Sequence, residues 1–181
     1  FIQVIRMEAL LGTKSLINVK GETICVDEAL KEKDVLGLYF SASWCGPCQG
    51  FTPQLSTFYK AYSENKKFEI VFVSSDKDEV QFVEYFKKMP WLALPFENRQ
   101  AKKNLSKKYK VKGIPTLILL DAKSGEIITV NGRDGVISND VDAFPWKTKS
   151  VSEILAGIQT LDTKDGPQPF AQIIKPTSNL L

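Results

Sequence analysis

Histidine is missing altogether: none of the 181 residues carries an imidazole. This removes Ser-His-Asp and Cys-His nucleophilic catalysis, imidazole acid–base chemistry and any zinc site that needs a protein nitrogen ligand. Cysteine is scarce, with only the three residues Cys25, Cys45 and Cys48. So low and odd a count does not describe a small secreted domain stapled by disulfides. No apolar run approaches the roughly 20 residues of a membrane-spanning helix, and the N-terminus does not read as a secretory leader. Charge of one sign is lacking too: 24 Lys and Arg against 21 Asp and Glu leave +3. That is too little to argue for nucleic acid or an anionic membrane as the main partner.

What is present describes a soluble globular α/β chain. Hydrophobic residues make up 43% and charged residues 25%, near the globular average. The run Val35-Leu36-Gly37-Leu38-Tyr39-Phe40 reads as a strand buried on both faces. Phe51, Leu55, Phe58, Tyr59 and Tyr62 share one helical face, with Pro53 inside it and expected to kink it. Glu69–Ser74 reads as the next buried strand, so the three form a βαβ unit with parallel strands. A small hairpin at Leu16–Val19 and Thr23–Val26 and a short helix at Asp27–Lys33 precede the unit. Helices at Glu79–Met89 and Ala101–Tyr109 follow it, then a hairpin at Thr116–Leu120 and Glu126–Val130. Ser150–Gly157 is a candidate last helix. The expectation is one domain over 1–161, with its core at 34–146, and a Pro-containing tail at 162–181 too poor in apolar patterning to pack a core.

Ser43-Trp44-Cys45-Gly46-Pro47-Cys48 falls between the first buried strand and its helix. A thiolate attacks disulfides where a thiol does not, and a helix N-terminus favours the thiolate through its free N–H groups and dipole. Cys48 lies one turn later on the same face, placed to resolve a mixed disulfide formed at Cys45. Pro47 suits the first turn because its missing donor has no partner there, and Trp44 offers a flat apolar lip. Three blander readings remain: half of a zinc site, a purely structural link, or two inert cysteines. The first lacks ligands and the second closes too short a loop to stabilise much. Farther on, Gly113-Ile114-Pro115-Thr116 precedes a strand. An X-Pro at a strand start is by base rate a trans turn; a cis Pro115 beside the cysteine pair would instead turn the Ile114 backbone outward to pair with an extended peptide.

These elements together resemble the thioredoxin superfamily, and more narrowly its tryparedoxin/nucleoredoxin branch. The narrower resemblance rests on Tyr39-Phe40-Ser41-Ala42-Ser43-Trp44-Cys45, Gly50-Phe51-Thr52-Pro53-Gln54-Leu55, Phe58-Tyr59, and the segment from Lys88 through Phe96. Ile114-Pro115-Thr116-Leu117 and Phe144-Pro145-Trp146 extend it. The resemblance implies a thioredoxin fold, a central mixed β-sheet with helices on both faces and an N-terminal β-hairpin. It implies a protein-disulfide reductase without a bound cofactor. Electrons would pass from a small dithiol such as trypanothione to peroxiredoxins, glutathione-peroxidase-type proteins and other disulfide proteins. A nucleoredoxin-like binding regulator, or a thioredoxin-type reductase with another donor, are the alternatives.

By the same resemblance Cys45 is the nucleophile and Cys48 the resolver. Trp44, Gly46, Pro47, Ile114, Pro115, Tyr85 and Arg133 border the substrate. Departures from the branch are Cys-Gly-Pro-Cys for its usual Cys-Pro-Pro-Cys, Ser75-Asp76-Lys77 for its Trp-Asp-Glu, and Asn131 at the first of two arginine positions in the last-strand loop. The acid that thioredoxins bury before their first cysteine is Tyr39 here, which leaves Asp76 as a candidate proton acceptor for Cys48.

Cys25 reads as buried core filler, and Trp91 and Trp146 as packing residues. Lys102, Lys103, Lys107, Lys108, Lys110 and Lys112 read as a solvated face, with a docking patch for an acidic partner as the sharper alternative. The expected address is the cytoplasm and the expected state a monomer. A chain opening on Phe1 reads as trimmed, and the tail ending in Leu180-Leu181 has the alternative of a spacer before an absent apolar anchor.

Overall fold

A computed structural model describes residues 6–147 and, for the backbone alone, 160–163 and 166–169. The chain divides into two units after Lys147. In the first, β3 (Val35–Ser41) and β4 (Phe68–Ser74) are buried along their whole length and pair in parallel from Val35–Phe68 to Ser41–Ser74. The helix between them, α3 (Gly46–Tyr62), makes this the expected βαβ unit. It runs on through Pro53, whose ring deprives the Gln49 carbonyl of a helical donor.

Around this unit the sheet grows to seven strands. On one side of β3, β6 (Thr116–Asp121) and then β7 (Ile127–Thr129) join antiparallel as a hairpin. On the far side of β4 comes β5 (Leu92–Ala93), parallel to β4, followed by β1 (Ser15–Ile17) and β2 (Thr23–Cys25). The two-residue β5, inside the Pro90–Pro95 segment, has no readable periodicity, yet it is what joins the N-terminal hairpin to the sheet.

Alternate residues of the central strands face opposite layers, as strand geometry requires. Leu36, Leu38, Phe40, Val71 and Val73 pack with α1 (Met7–Leu11), α2 (Val26–Leu30) and α5 (Arg99–Lys108). Gly12 ends α1 in the left-handed region, at φ 68°. Val35, Tyr39, Ile70 and Phe72 pack on the other face with α3, α4 (Glu79–Phe86) and α6 (Gly132–Ser138). This second layer is largely aromatic: the Phe72 ring lies 5.7 Å from Phe82 and 6.1 Å from Phe86. Trp91 and Trp146 belong to it, Trp91 5.9 Å from Tyr39 and Trp146 5.4 Å from Phe58.

One residue reverses expectation. Cys25 is exposed, not core filler. Strand β2 alternates, with Ile24 turned toward the core and Thr23 and Cys25 turned to solvent.

In the second unit, β8 (Thr160–Thr163) and β9 (Gly166–Pro169) form an antiparallel hairpin with Thr160 opposite Pro169 and Thr163 opposite Gly166. The expected boundary at 161/162 therefore cuts through a strand. Pro167 and Pro169 fit because each strand of a two-stranded ribbon keeps one unpaired edge, where a missing N–H costs nothing. The candidate helix at 150–157 lies outside the described residues.

Glu69, buried in β4, accepts hydrogen bonds from Tyr59 Oη and the Ile70 amide, each at 2.8 Å. Burial holds its carboxyl above the ordinary carboxylate range, although these bonds favour the charged form. The folded state therefore keeps a proton that the unfolded chain gives up. The residue's contribution to stability is full at acid pH and is lost as pH rises through the raised pKa. Glu69→Gln keeps an acceptor for both bonds and cannot ionise. Its urea midpoint relative to the parent is expected to rise between about pH 4 and about pH 8. A difference that does not change with pH contradicts this assignment.

Candidate functional site

The site forms where β3 ends and α3 begins. Cys45 is the N-cap of α3, with Pro47 in the first turn, and its Sγ accepts a hydrogen bond from the Cys48 amide at 3.2 Å. Cys45 and Cys48 are joined in a disulfide, their Cα atoms 5.2 Å apart. Cys48 is fully enclosed and Cys45 is 7% exposed, while Gly46 and Pro47 stand in solvent. Of the two residues, only Cys45 keeps any contact with solvent.

The loop ahead of Cys45 is tied down by the loop that follows β4. Asp76 accepts from the Ser43 amide at 2.6 Å and from Ser74 Oγ at 2.8 Å, while Trp44 Nε1 donates to the Ser75 carbonyl at 3.2 Å. Trp44 is thereby held in place with 55% of its surface exposed, an apolar lip beside Cys45. Each Asp76 oxygen takes one loop hydrogen bond, and among the described residues no hydrogen bond joins it to Cys48. Its place in the structure is that of a clamp. Arg99, which sequence reasoning passed over, reinforces it by donating to the Ser74 carbonyl at 3.0 Å.

Beneath Cys48 lies a chain of buried hydroxyls. Thr52 Oγ1 donates to the Cys48 carbonyl at 2.9 Å and lies 2.8 Å from Tyr39 Oη and 2.6 Å from Tyr85 Oη. Tyr85 reaches Ser41 Oγ at 3.0 Å. Burial drives the Tyr39 hydroxyl well above its ordinary range, so that hydroxyl stays protonated and neutral. Tyr85, 3% exposed, sits behind the reactive turn, with its hydroxyl committed inward. It supports that turn and also borders a pocket of about 350 Å³ together with Ser43 and Gln49. Thr52 was missed, although its spacing of one helical turn from Cys48 was the signal. Thr52→Val removes the hub while keeping the shape. Stranding the tyrosine hydroxyls is expected to cost about 1–3 kcal/mol, read as a lower urea midpoint; an unchanged midpoint contradicts the role.

On the open side of Cys45 the Ile114–Pro115 peptide is cis, and the Ile114 carbonyl oxygen lies 3.7 Å from Cys45 Sγ. These residues border a groove of about 790 Å³ that also takes in Pro47, Val111, Thr116, Val130 and Arg133. Arg133 is on α6, not in a strand loop, and its guanidinium lies 5.9 Å from the centre of the Phe51 ring. The structure thus brings Pro47, Ile114, Pro115 and Arg133 together on the groove, with Cys45 reached through Ile114; Trp44 and Gly46 are exposed on the turn that carries Cys45, and Asp76 and Tyr85 are buried.

A cysteine pair of which one residue keeps contact with solvent, set at a helix N-terminus beside a groove, defines a thiol–disulfide oxidoreductase. The chain belongs to the thioredoxin-like family, whose model matches residues 33–127. It is 46% identical over 138 residues to tryparedoxin of Trypanosoma brucei brucei, covering 76% of this chain and 94% of that one. It is also 46% identical over 139 residues to probable nucleoredoxin 1 of Arabidopsis thaliana, covering 77% of this chain but only 24% of that protein. Native tryparedoxin I from Crithidia fasciculata superimposes with a TM-score of 0.74 at 43% identity, over 79% of this chain and 99% of that one. A tryparedoxin II complexed with glutathionylspermidine gives a TM-score of 0.75 at 39% identity, over 78% and 99% of the two chains.

Proposed function

We propose that the protein is a protein-disulfide reductase of the tryparedoxin type, cycling Cys45 and Cys48 between dithiol and disulfide in the cytoplasm. The observation that carries this reading is the asymmetry of the pair: Cys45 caps α3 with its Sγ 3.7 Å from the carbonyl of Ile114, which borders the groove, while Cys48 is fully enclosed. In the reduced protein the Cys45 thiolate attacks one sulfur of a partner disulfide, forming an intermolecular S–S bond and expelling one partner thiolate. Cys48, losing its proton, then attacks Cys45 Sγ. This closes the intramolecular disulfide and expels the second partner thiolate. Two electrons pass to the partner, and a small dithiol such as trypanothione returns them by the same exchange in reverse. No bound cofactor is needed. Acceptors of the peroxiredoxin and glutathione-peroxidase type fit the family resemblance, with Trp44, Gly46, Pro47, Ile114, Pro115 and Arg133 as the surface they meet.

The test is reduction of insulin disulfides with trypanothione and its reductase, thioredoxin reductase or glutathione as donor. Fast turnover with trypanothione supports the tryparedoxin reading. Turnover only with another donor moves the protein to a different thiol pathway. The similarity to nucleoredoxins favours a second reading, a redox-dependent binding regulator, and negligible turnover with every donor selects it.

A further inference from the structure

The charge on the groove beside Cys45 has one sign. Lys110 and Lys112 border it on the stretch before β6, and Arg133 borders it from α6. No acid lines it, for Asp134, the residue after Arg133, is not among the lining residues. Among the described residues none of the three cations has an ion-pair partner. Between them the groove is apolar, with Val111, Ile114, Pro115 and Val130. The rest of the lysine-rich run behaves differently: Lys103, Lys107 and Lys108 sit on the exposed face of α5.

From this arrangement, and resting on the reductase reading above, we infer that the groove selects an acidic polypeptide segment flanking the disulfide to be reduced. Three considerations lead there. Unpaired cations over an apolar, low-dielectric surface focus a positive field on the approach to Cys45, which speeds encounter with anionic partners and repels cationic ones. A lone small anion would leave the apolar stretch between the cations uncovered, whereas an extended chain covers it with side chains while its carboxylates meet Lys110, Lys112 and Arg133. The Ile114 carbonyl, 3.7 Å from Cys45 Sγ, marks where such a chain passes the sulfur, in the manner of strand addition.

The reaction with this partner is the exchange already balanced: the acidic polypeptide's disulfide gains two electrons and leaves as two thiols, and Cys45–Cys48 closes.

The probes are three synthetic peptide disulfides of identical length, with the cysteine flanked by Glu, by Gln or by Lys. The full chain is reduced with dithiothreitol, freed of it, and mixed with each peptide under single-turnover conditions. At about 20 mM salt the Glu peptide is expected to be reduced about tenfold or more faster than the Lys peptide. The ratio is expected to approach one at about 500 mM salt, where screening acts over only a few ångströms. In Lys110→Glu with Lys112→Glu, the order of the charged peptides is expected to reverse. Equal rates for the three peptides, or a faster Lys peptide, overturn the inference. So does a Glu preference that the double variant leaves intact. Failure to reduce even the Gln peptide overturns the reductase reading itself, and is thereby distinguished from loss of charge selection alone.

Discussion

The Cys45→Ser protein is expected to reduce no disulfide with any donor, whereas Cys48→Ser is expected to stall after one step as a stable mixed disulfide. The two outcomes differ because the pair is asymmetric in space. Cys45 Sγ lies 3.7 Å from the carbonyl of Ile114, which borders the groove, and receives the Cys48 amide at the N-terminus of α3. Serine there supplies no anion near neutral pH and no exchangeable sulfur. Cys48 is fully buried, so it cannot take over the first attack, and its loss removes only the step that frees the partner. Intact mass under non-reducing conditions shows a one-to-one adduct for Cys48→Ser and none for Cys45→Ser. Appreciable turnover by Cys45→Ser would mean that another thiol begins the reaction.

The largest expected loss of stability comes from Phe72→Ala. Phe72 is fully buried in β4, with Phe82 stacked at 5.7 Å, Tyr85 edge-on at 5.8 Å and Tyr39 at 6.2 Å. Truncating a buried phenylalanine costs about 3–5 kcal/mol, because the cavity left behind adds to the lost transfer free energy. At roughly 2–4 °C per kcal/mol for a chain of this size, the midpoint of thermal unfolding is expected to fall by on the order of 10 °C. The cost also reaches the site, since Tyr39 and Tyr85 carry the hydroxyls beneath Cys48. A drop of only a degree or two would show that this layer closes around the gap and does not brace the reactive turn.

The parts of the fold that were legible from the residues are those with a strong period or strong local chemistry. The apolar runs of β3 and β4 and the helical face of α3 bury large areas by themselves, so local pattern and tertiary structure agree. The same holds for Cys45, Cys48 and the Ile114–Pro115 corner, whose chemistry is written in adjacent residues. What escaped depends on long-range contact. Strand β5 has two residues and exists because β4 and β1 lie on either side of it. Asp76 takes its hydrogen bonds from the Ser43 amide and the Ser74 hydroxyl, and nothing local announces the first of them. Tyr85 lies close to the site in space yet points into the hydroxyl chain. Cys25 is exposed for a reason its neighbours show: the alternation Thr23-Ile24-Cys25 turns one residue in and two out, against the general preference of cysteine for the interior. The hairpin at 160–169 has prolines where strands rarely keep them, so composition argued for a tail.

The central claim is that Cys45 is the thiol activated for attack, and limited alkylation tests it most directly. The reduced full chain is treated with substoichiometric iodoacetamide at about pH 6, where a thiol without such help is largely protonated, and the label is located by peptide mass analysis. Cys25 is exposed and serves as the internal competitor. Label on Cys45, well ahead of both Cys25 and Cys48, is the predicted result; label first on Cys25 or Cys48 contradicts the account.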